Sequence, residues 1–308
     1  MLRRGAIAAA LALVTPAHAA DVRIDDVHVY PESLSADRAG RLYIGSVKGV
    51  VFRTTPGGDL AEPWIVPTAD NGILSVLGVL VDERARTLWV CTAPMPFRVP
   101  PAHGTAALLA FDLGSGGFKA RYPFPAPAGA CNDVTIARDG AAFATDTPNG
   151  RIFTLKPGAT ALQLYAEDAR LKGVDGIAFA GDGTLYVNNV QAQTMLRIDR
   201  ARDGTYAGLT TLTLSQAVNG PDGLRLLAGN RFLQAEGGSG KVTLVTITGD
   251  HATITSLRTG LESSPGVTAA RGRAYAVEGK IGYLVMPMLR GKEPGPFYAR
   301  AIDLPATR

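Results

Sequence analysis

The segment Leu34-Ser35-Ala36-Asp37-Arg38-Ala39-Gly40-Arg41-Leu42-Tyr43 contains a short apolar run, a glycine-containing turn and a second apolar run. This order is typical of a tight β-hairpin. Segments of the same character recur at 134–143, 177–186 and 224–233, and the second run alone recurs at 87–90 and 273–276. Beyond the N-terminal leader, no apolar stripe with a 3.6-residue period competes with this pattern. The chain is therefore predicted to be an all-β protein built from repeats.

The repeats can be counted from the first residue of each second apolar run. These residues are Leu42, Leu88, Ala142, Leu185, Phe232 and Ala274. Successive copies are 42 to 54 residues apart, which accommodates four strands with loops of varying length. Six copies predict a six-bladed β-propeller, whose innermost strands surround a central channel. A seven-bladed propeller with one degenerate blade within residues 93–130 is the alternative.

The N-terminus has the features of a signal peptide. Arg3 and Arg4 precede an almost wholly apolar run, and Ala17-His18-Ala19 is a small-x-small cleavage site. We expect residues 1–19 to be removed and residues 20–308 to form a single periplasmic or secreted domain without a membrane anchor. The net charge of +4 comes from scattered Lys and Arg, so no nucleic-acid surface is predicted. The protein is expected to be a monomer.

Two cysteines, Cys91 and Cys131, fall on successive predicted blades. An exported protein resides in a compartment where disulfides persist. The sequence leaves open whether these residues form a disulfide or remain two small buried thiols.

Polar side chains recur ten residues before each repeat position. The residues there are Glu32, Gly78, Asn132, Asp175, Asp222 and Ser264. In a propeller, equivalent positions converge at one end of the channel, so four oxygen donors are expected to meet. Carboxylates that meet repel one another, and a bound cation would relieve this repulsion. Oxygen donors without His or Cys indicate one hard divalent cation, with Ca²⁺ first and Mg²⁺, Mn²⁺ or Zn²⁺ as alternatives.

A second polar ring occurs four residues after each repeat position. It consists of Ser46, Thr92, Asp146, Asn189, Glu236 and Glu278. We interpret these side chains as polar because they line a water-filled channel. The histidines of the mature chain, His28, His103 and His251, show no ligand spacing and are expected on the surface or in loops.

Four segments carry a resemblance to a known family. They are Tyr30-Pro31-Glu32-Ser33, Cys131-Asn132-Asp133-Val134, Asp175-Gly176-Ile177-Ala178-Phe179 and Pro221-Asp222-Gly223-Leu224. In this order they resemble the signature segments of the senescence-marker-protein, gluconolactonase and luciferin-regenerating-enzyme family, which includes regucalcin. The resemblance extends over residues 30 to 285. It implies a six-bladed propeller with one divalent cation on the axis and lactone hydrolysis as the commonest activity.

The resemblance also implies roles for single residues. Glu32, Asp175 and Asp222 match metal-binding positions, and Asn132 matches an asparagine that contacts metal, water or substrate. Asp222 is the candidate general base, and Asp133 is the second candidate. The chain departs from the family pattern at two positions, one expected to affect the substrate and the other the metal. An arginine that holds substrate oxygens in the family is replaced by Ala130, and Asp175 stands where the family has asparagine.

A proline-rich insertion at residues 93–104 is too long for a hairpin turn. As a lid, it would offer Phe97 for apolar contact with substrate and Arg98 in place of the missing guanidinium. The insertion is interpreted equally well as a solvent-exposed loop without a catalytic role. The sequence therefore predicts a metal-dependent lactonase acting on a small lactone or ester. The alternative is a non-catalytic envelope propeller that binds a ligand or a protein and holds a structural metal.

Overall fold

The structure is a computed structural model, and it describes residues 20–96, 103–127 and 129–305. The predicted signal peptide, residues 1–19, lies outside the described residues, as do Phe97 and Arg98. Within the described residues nearly all regular structure is β-strand, as the repeats predict. Helical turns occur at Ala169–Leu171, Gly282–Val285 and Pro287–Leu289. None of the helices in the described part of the chain has the length and apolarity needed to cross a membrane.

The strands follow the chain in order. The first nine are β1 (Val22–Ile24), β2 (Pro31–Ala36), β3 (Leu42–Ser46), β4 (Val51–Thr54), β5 (Leu60–Ile65), β6 (Ser75–Asp82), β7 (Thr87–Ala93), β8 (Ala107–Asp112) and β9 (Phe118–Pro123). The next eight are β10 (Cys131–Ile136), β11 (Ala142–Asp146), β12 (Arg151–Leu155), β13 (Gln163–Glu167), β14 (Val174–Phe179), β15 (Leu185–Asn189), β16 (Thr194–Arg200) and β17 (Tyr206–Thr211). The last eight are β18 (Thr213–Leu214), β19 (Pro221–Ala228), β20 (Arg231–Glu236), β21 (Lys241–Thr248), β22 (His251–Arg258), β23 (Val267–Ala270), β24 (Arg273–Val277) and β25 (Phe297–Asp303).

The described strands form five sheets. Three are four-stranded and follow the chain order, β6 to β9, β10 to β13 and β14 to β17. A fourth has the order β18-β22-β21-β20-β19, in which β18 pairs in parallel with the outer strand. The fifth has eight strands in the order β2-β3-β4-β5-β1-β25-β24-β23.

The first described strand, β1, joins the first and last four-stranded runs. It pairs antiparallel with β25, where Val22 opposes Ala299, and parallel with β5, where Arg23 opposes Leu60. The eight-stranded sheet therefore consists of two runs of four, β2 to β5 and β23-β24-β25-β1, that meet along β1 and β5. Pairing β1 with β25 holds the first and last described strands together.

The first strands of the successive runs surround an axis. β2 contacts β6, and the contacts continue through β10, β14, β19 and β23 back to β2. The hydrophobic core lies between adjacent sheets. On β7, for example, Trp89 and Cys91 pack toward the sheet of β10, whereas Leu88 and Val90 pack toward the sheet of β3. Because both faces are covered, β7 is buried along its whole length.

Cys91 and Cys131 form a disulfide that links β7 to β10, with their Cα atoms 4.9 Å apart. This resolves the pairing that the sequence left open. The bridge joins two adjacent sheets at the residue immediately before Asn132.

Candidate functional site

A β-bulge interrupts five of the inner strands at the same level. The bulges lie between Pro31 and Ser33, between Val76 and Gly78, between Cys131 and Val134, between Val174 and Ile177, and between Pro221 and Leu224. A bulge leaves residues without a ladder partner and turns their side chains out of the regular alternation. Glu32, Asn132, Asp175 and Asp222 are all bulge residues, so the four predicted oxygen donors occupy equivalent places at one end of the channel.

The strand pairing corrects two members of the predicted ring. The ring position of β6 is Leu77 rather than Gly78, and that of the last inner strand is Pro265 rather than Ser264. A fixed count of ten residues fails there because the two hairpins differ in length. The hairpin between β6 and β7 is one residue longer than in the other repeats, and that between β23 and β24 is one residue shorter.

The predicted metal-ligand side chains of three adjacent inner strands are in contact with one another. Asn132 donates a hydrogen bond from Nδ2 to Oδ2 of Asp175 at 2.9 Å and another to Oγ1 of Thr147 at 2.9 Å. The carboxyl groups of Asp175 and Asp222 lie within hydrogen-bonding reach of each other. Glu32 is close enough to Asp175 and Asp222 for their charges to interact. We name these four residues the carboxylate cluster.

Burial and mutual repulsion raise the pKa values of the three acids. The pKa of Asp175 is raised to about 7, mainly by burial and then by the negative charge of Asp133. The pKa of Asp222 is raised well above its ordinary value by burial and by the charges of Asp175 and Glu32. Burial and the charge of Asp175 likewise raise the pKa of Glu32. At neutral pH the cluster must therefore retain protons or acquire positive charge.

Asp133 has a different environment from the cluster. Arg225 of β19 donates from Nη1 to Oδ2 of Asp133 at 2.6 Å and from Nη2 to Oδ1 at 2.9 Å. The backbone N–H groups of Val134 and Ile177 donate to the same carboxylate at 2.9 and 3.2 Å. Arg225 also donates to the carbonyl oxygen of Val79 at 3.2 Å. Both oxygens of Asp133 are therefore occupied by protein donors.

The second polar ring holds loops rather than lining a water-filled channel. All six side chains are buried. Four of them accept a hydrogen bond from a backbone N–H: Thr92 from Leu74 at 2.8 Å, Asp146 from Ala130 at 3.1 Å, Glu236 from Asn219 at 3.1 Å and Glu278 from Glu262 at 3.5 Å. Asn189 instead donates to the carbonyl oxygens of Arg170 and Lys172. Each of these contacts fixes the loop that leads into an inner strand. Ser46 instead bonds to the backbone of Val50 in its own turn.

Two arginines of the site were missed in the sequence. Arg225 lies within the apolar run Leu224–Ala228, and Arg151 opens the buried strand β12. Arg151 pairs with the fully buried Asp146 and donates to carbonyl oxygens of residues 125, 126 and 127, which precede Asn132. A charged residue inside an apolar strand is the signal that would have identified Arg225, whereas Arg151, the first residue of its strand, gives no such signal. By contrast, His28, His103 and His251 are exposed, as predicted.

Among residues 20–96, 103–127 and 129–305, no three His, Cys, Asp or Glu side chains are arranged around a common metal position. The chemistry of the donors nevertheless fits a hard cation. Three carboxyl groups and the amide side chain of Asn132 lie near one another, and burial together with the repulsion between the carboxylates raises the three pKa values. Oxygen donors of this type suit Ca²⁺ and Mg²⁺.

Solved structures with similar folds include lactonases. A candidate gluconolactonase is 18% identical, with a TM-score of 0.67 over 94% of this chain and 93% of that chain. A gluconolactonase from Xanthomonas campestris is 20% identical, with a TM-score of 0.63 over 91% and 88%. A luciferin-regenerating enzyme is 11% identical, with a TM-score of 0.64 over 90% and 91%. The structural resemblance predicted from the four segments is thereby confirmed, and at these identities it establishes a shared fold. No protein-family model matches the chain, and no curated protein sequence matches it significantly.

Proposed function

We propose that this protein is a divalent-metal-dependent hydrolase that opens a lactone or related cyclic ester at the carboxylate cluster. The convergence of Asn132, Asp175 and Asp222, with Glu32 nearby, carries the proposal. These are the residues that the family resemblance predicts for such a site. The shared fold with gluconolactonases supports the same reaction class.

We infer that the molecule is a six-bladed propeller. The two four-stranded runs of the eight-stranded sheet would count as the first and last blades, with β1 supplying the outer strand of the last. The closed sequence of contacts among β2, β6, β10, β14, β19 and β23 supports this count.

Glu32, Asn132, Asp175 and Asp222 would hold the cation, with Ca²⁺ first and Mg²⁺, Mn²⁺ or Zn²⁺ as alternatives. Such an ion supplies polarisation of an ester carbonyl and stabilises negative charge on its oxygen. Asp175 in place of the family's asparagine adds a carboxylate, which favours a divalent over a monovalent ion. Small movements of the carboxyl groups would be needed, because Asp175 and Asp222 now lie within hydrogen-bonding reach of each other.

Asp222 is the candidate general base. Its carboxylate would take a proton from water as the oxygen attacks the lactone carbonyl carbon, and that proton would pass to the ring oxygen as the acyl C–O bond breaks. The products are a carboxylic acid and an alcohol in one open chain. Asp133 is less suited to this role, because Arg225 and two backbone N–H groups occupy both of its oxygens.

The substrate is proposed to be a small lactone or ester. Asn132 would bind substrate as well as metal, since its amide lies among the carboxylates. Ala130 offers no guanidinium for polar substrate oxygens. Phe97 and Arg98, which lie outside the described residues, remain predicted substrate contacts.

Residence in the periplasm or outside the cell is proposed from the predicted signal peptide. The Cys91–Cys131 disulfide supports it, because disulfides persist in oxidising compartments. A monomeric state remains a prediction. The alternative function, a non-catalytic propeller that binds a ligand or protein and holds a structural metal, is compatible with the same fold.

The deciding experiment is hydrolysis of aliphatic and sugar lactones by the purified mature protein in a pH-indicator assay. The protein is assayed after chelator treatment and again after Ca²⁺, Mg²⁺, Mn²⁺ or Zn²⁺ is restored. Turnover that requires an added ion supports the hydrolase. Absence of turnover across the panel, with metal shown to bind, favours the binding protein.

A further inference from the structure

Ser263, just before the last inner strand, has a backbone conformation that favours glycine. Its φ is 61°, in the left-handed region where the Cβ of an ordinary residue crowds the following carbonyl oxygen. In two other repeats the equivalent residue, two positions before the ring residue, is a glycine: Gly173 precedes Asp175, and Gly220 precedes Asp222. These glycines have φ values of 88° and 60°. The last repeat therefore keeps a strained serine where glycine would fit without strain.

Packing does not explain why this position is a serine. The first repeat has Tyr30 at the same place, with a φ of 46°, and the ring of Tyr30 makes an edge contact with Phe297 at 5.3 Å between centroids. Ser263 is only partly buried and has no such ring to pack. Strain that packing does not explain is typical of functional sites.

The hydroxyl of Ser263 is one of three oxygens that surround the same space. A Cβ built on Gly237 would lie 3.2 Å from Oδ2 of Asp222 and 3.7 Å from Oγ of Ser263. The carbonyl oxygen of Gly220 would be 3.9 Å from it. Because residue 237 is glycine, no side chain of its own fills this space. Asp222, Gly237 and Ser263 are each partly exposed, so solvent reaches all three residues.

The three oxygens are chemically suited to hold a water molecule, which binds where several polar groups converge. The carboxylate of Asp222 and the carbonyl oxygen of Gly220 can accept its two hydrogens. That carbonyl already accepts from the N–H of Gly237 at 2.8 Å and has a second lone pair. The hydroxyl of Ser263 can donate to the water, and it makes no hydrogen bond with another group in the described part of the chain.

We propose that Ser263 is a positioning residue that orients the attacking water against Asp222; this inference rests on the proposed hydrolase function. The water donates to Oδ2 of Asp222 and accepts from Oγ of Ser263, which leaves its second lone pair free to attack the lactone carbonyl carbon. As the new C–O bond forms, Asp222 takes a proton from the water. The acyl C–O bond of the ring then breaks, and the ring oxygen receives that proton. Glycine at 263 would relieve the strain but would bring no hydroxyl to this place.

Ser263→Gly and Ser263→Ala separate the hydroxyl from the backbone. Both variants lack the hydroxyl, so kcat for the best lactone should fall about tenfold, the effect of one lost hydrogen bond, in each of them. KM should stay the same, because the water does not contribute to binding the lactone. Ser263→Gly should melt at a higher temperature than Ser263→Ala, because only glycine adopts the left-handed backbone without strain. The matched control is Arg86→Gly, at an exposed turn with a φ of 49°, which should keep the kcat of the unaltered protein.

A high-resolution crystal structure gives a readout that is independent of turnover. The unaltered protein should hold a water within hydrogen-bonding distance of Asp222 Oδ2 and Ser263 Oγ. Gly237→Ala, whose methyl group would take the place of this water, should lack it and turn lactone over more slowly.

The outcomes separate this inference from the proposed function. No water at this place, or an unchanged kcat in both Ser263 variants, overturns the role of Ser263 and leaves the hydrolase standing. A rise in KM with unchanged kcat also overturns it, because the hydroxyl would then bind substrate instead of water. Absence of lactone turnover in the unaltered protein would refute the hydrolase itself, and with it the role of this water.

Discussion

Arg225 and Asp133 form a bidentate ion pair across the channel, at 2.6 and 2.9 Å, although their strands β19 and β10 are not adjacent. The strand between them, β14, contributes the N–H of Ile177 to the same carboxylate. Three inner strands are therefore fixed to one another by one carboxyl group. The ion pair sets the position of the bulge that carries Asn132.

Replacing Arg225 should destabilise the protein strongly. Arg225→Met leaves the buried carboxylate of Asp133 without its cation, and loss of one partner of a buried pair typically costs about 3–5 kcal/mol. The free energy of unfolding, measured by urea titration, should fall by that amount. Arg84→Met, at an exposed turn position, is the matched control and should change the free energy of unfolding by less than about 0.5 kcal/mol. A small effect in Arg225→Met would mean that the ion pair does not form in solution.

The double variant Asp133→Asn with Arg225→Met isolates the pair itself. It removes both charges, so it should be more stable than Arg225→Met alone. Equal destabilisation in the double and single variants would instead point to lost packing around the arginine stem.

Asp222→Asn should reduce lactone turnover by about 10²- to 10⁴-fold, since the amide cannot accept the proton of the attacking water. The rate is measured at saturating Ca²⁺, so that weaker metal binding is not mistaken for loss of the base. Asp70→Asn, at an exposed loop position, is the matched control and should retain full activity. Unchanged turnover in Asp222→Asn would contradict its role as the base.

The sequence predicted the equivalent inner-strand position correctly in four of the six repeats. Glu32, Asn132, Asp175 and Asp222 were found because their repeats have hairpins of equal length. Leu77 was missed because its hairpin is one residue longer, a difference that only strand pairing reveals. Counting residues cannot detect a change of register when the turn sequence is irregular.

The long-range contacts were beyond sequence reasoning for a physical reason. Arg225 and Asp133 are 92 positions apart, and their pairing depends on how the inner strands converge rather than on local pattern. The second polar ring was located correctly but interpreted wrongly, because its hydrogen bonds run to loop backbone such as that of Leu74 and Ala130. A polar residue buried against a loop has the same sequence pattern as one that faces water.

Without a bound cation, the folded protein should lose stability as the pH rises from about 4 to about 7. The pKa of Asp175 is about 7 in the folded protein, against an ordinary value of 3.8. A carboxyl group whose pKa rises on folding stabilises the fold fully below its unfolded pKa, and this contribution is lost as the pH passes through the folded pKa. Glu32 and Asp222 act in the same direction. Thermal unfolding in EDTA at several pH values measures the effect.

Two comparisons test this explanation of the pH dependence. Asp175→Asn should show a shallower decline in melting temperature, because one of the repelling carboxylates is gone. Added Ca²⁺ should restore stability at pH 7 and above more than at pH 5, where protons compete for the carboxylates. Apo stability that increases over this pH range would contradict the predicted repulsion.

Removing the disulfide should weaken both the fold and the site. The bridge links two residues that are 40 positions apart in the sequence. For a loop of this length, chain entropy predicts that the double variant Cys91→Ala with Cys131→Ala loses about 4 kcal/mol of unfolding free energy. The bridge also anchors β10 beside Asn132, so KM for the best lactone should rise more than the rate at saturation falls. Dithiothreitol should reproduce both effects in the unaltered protein and add nothing in the double variant. If the reduced protein keeps its unfolding free energy and its KM, the link between β7 and β10 does not contribute to holding Asn132 in place.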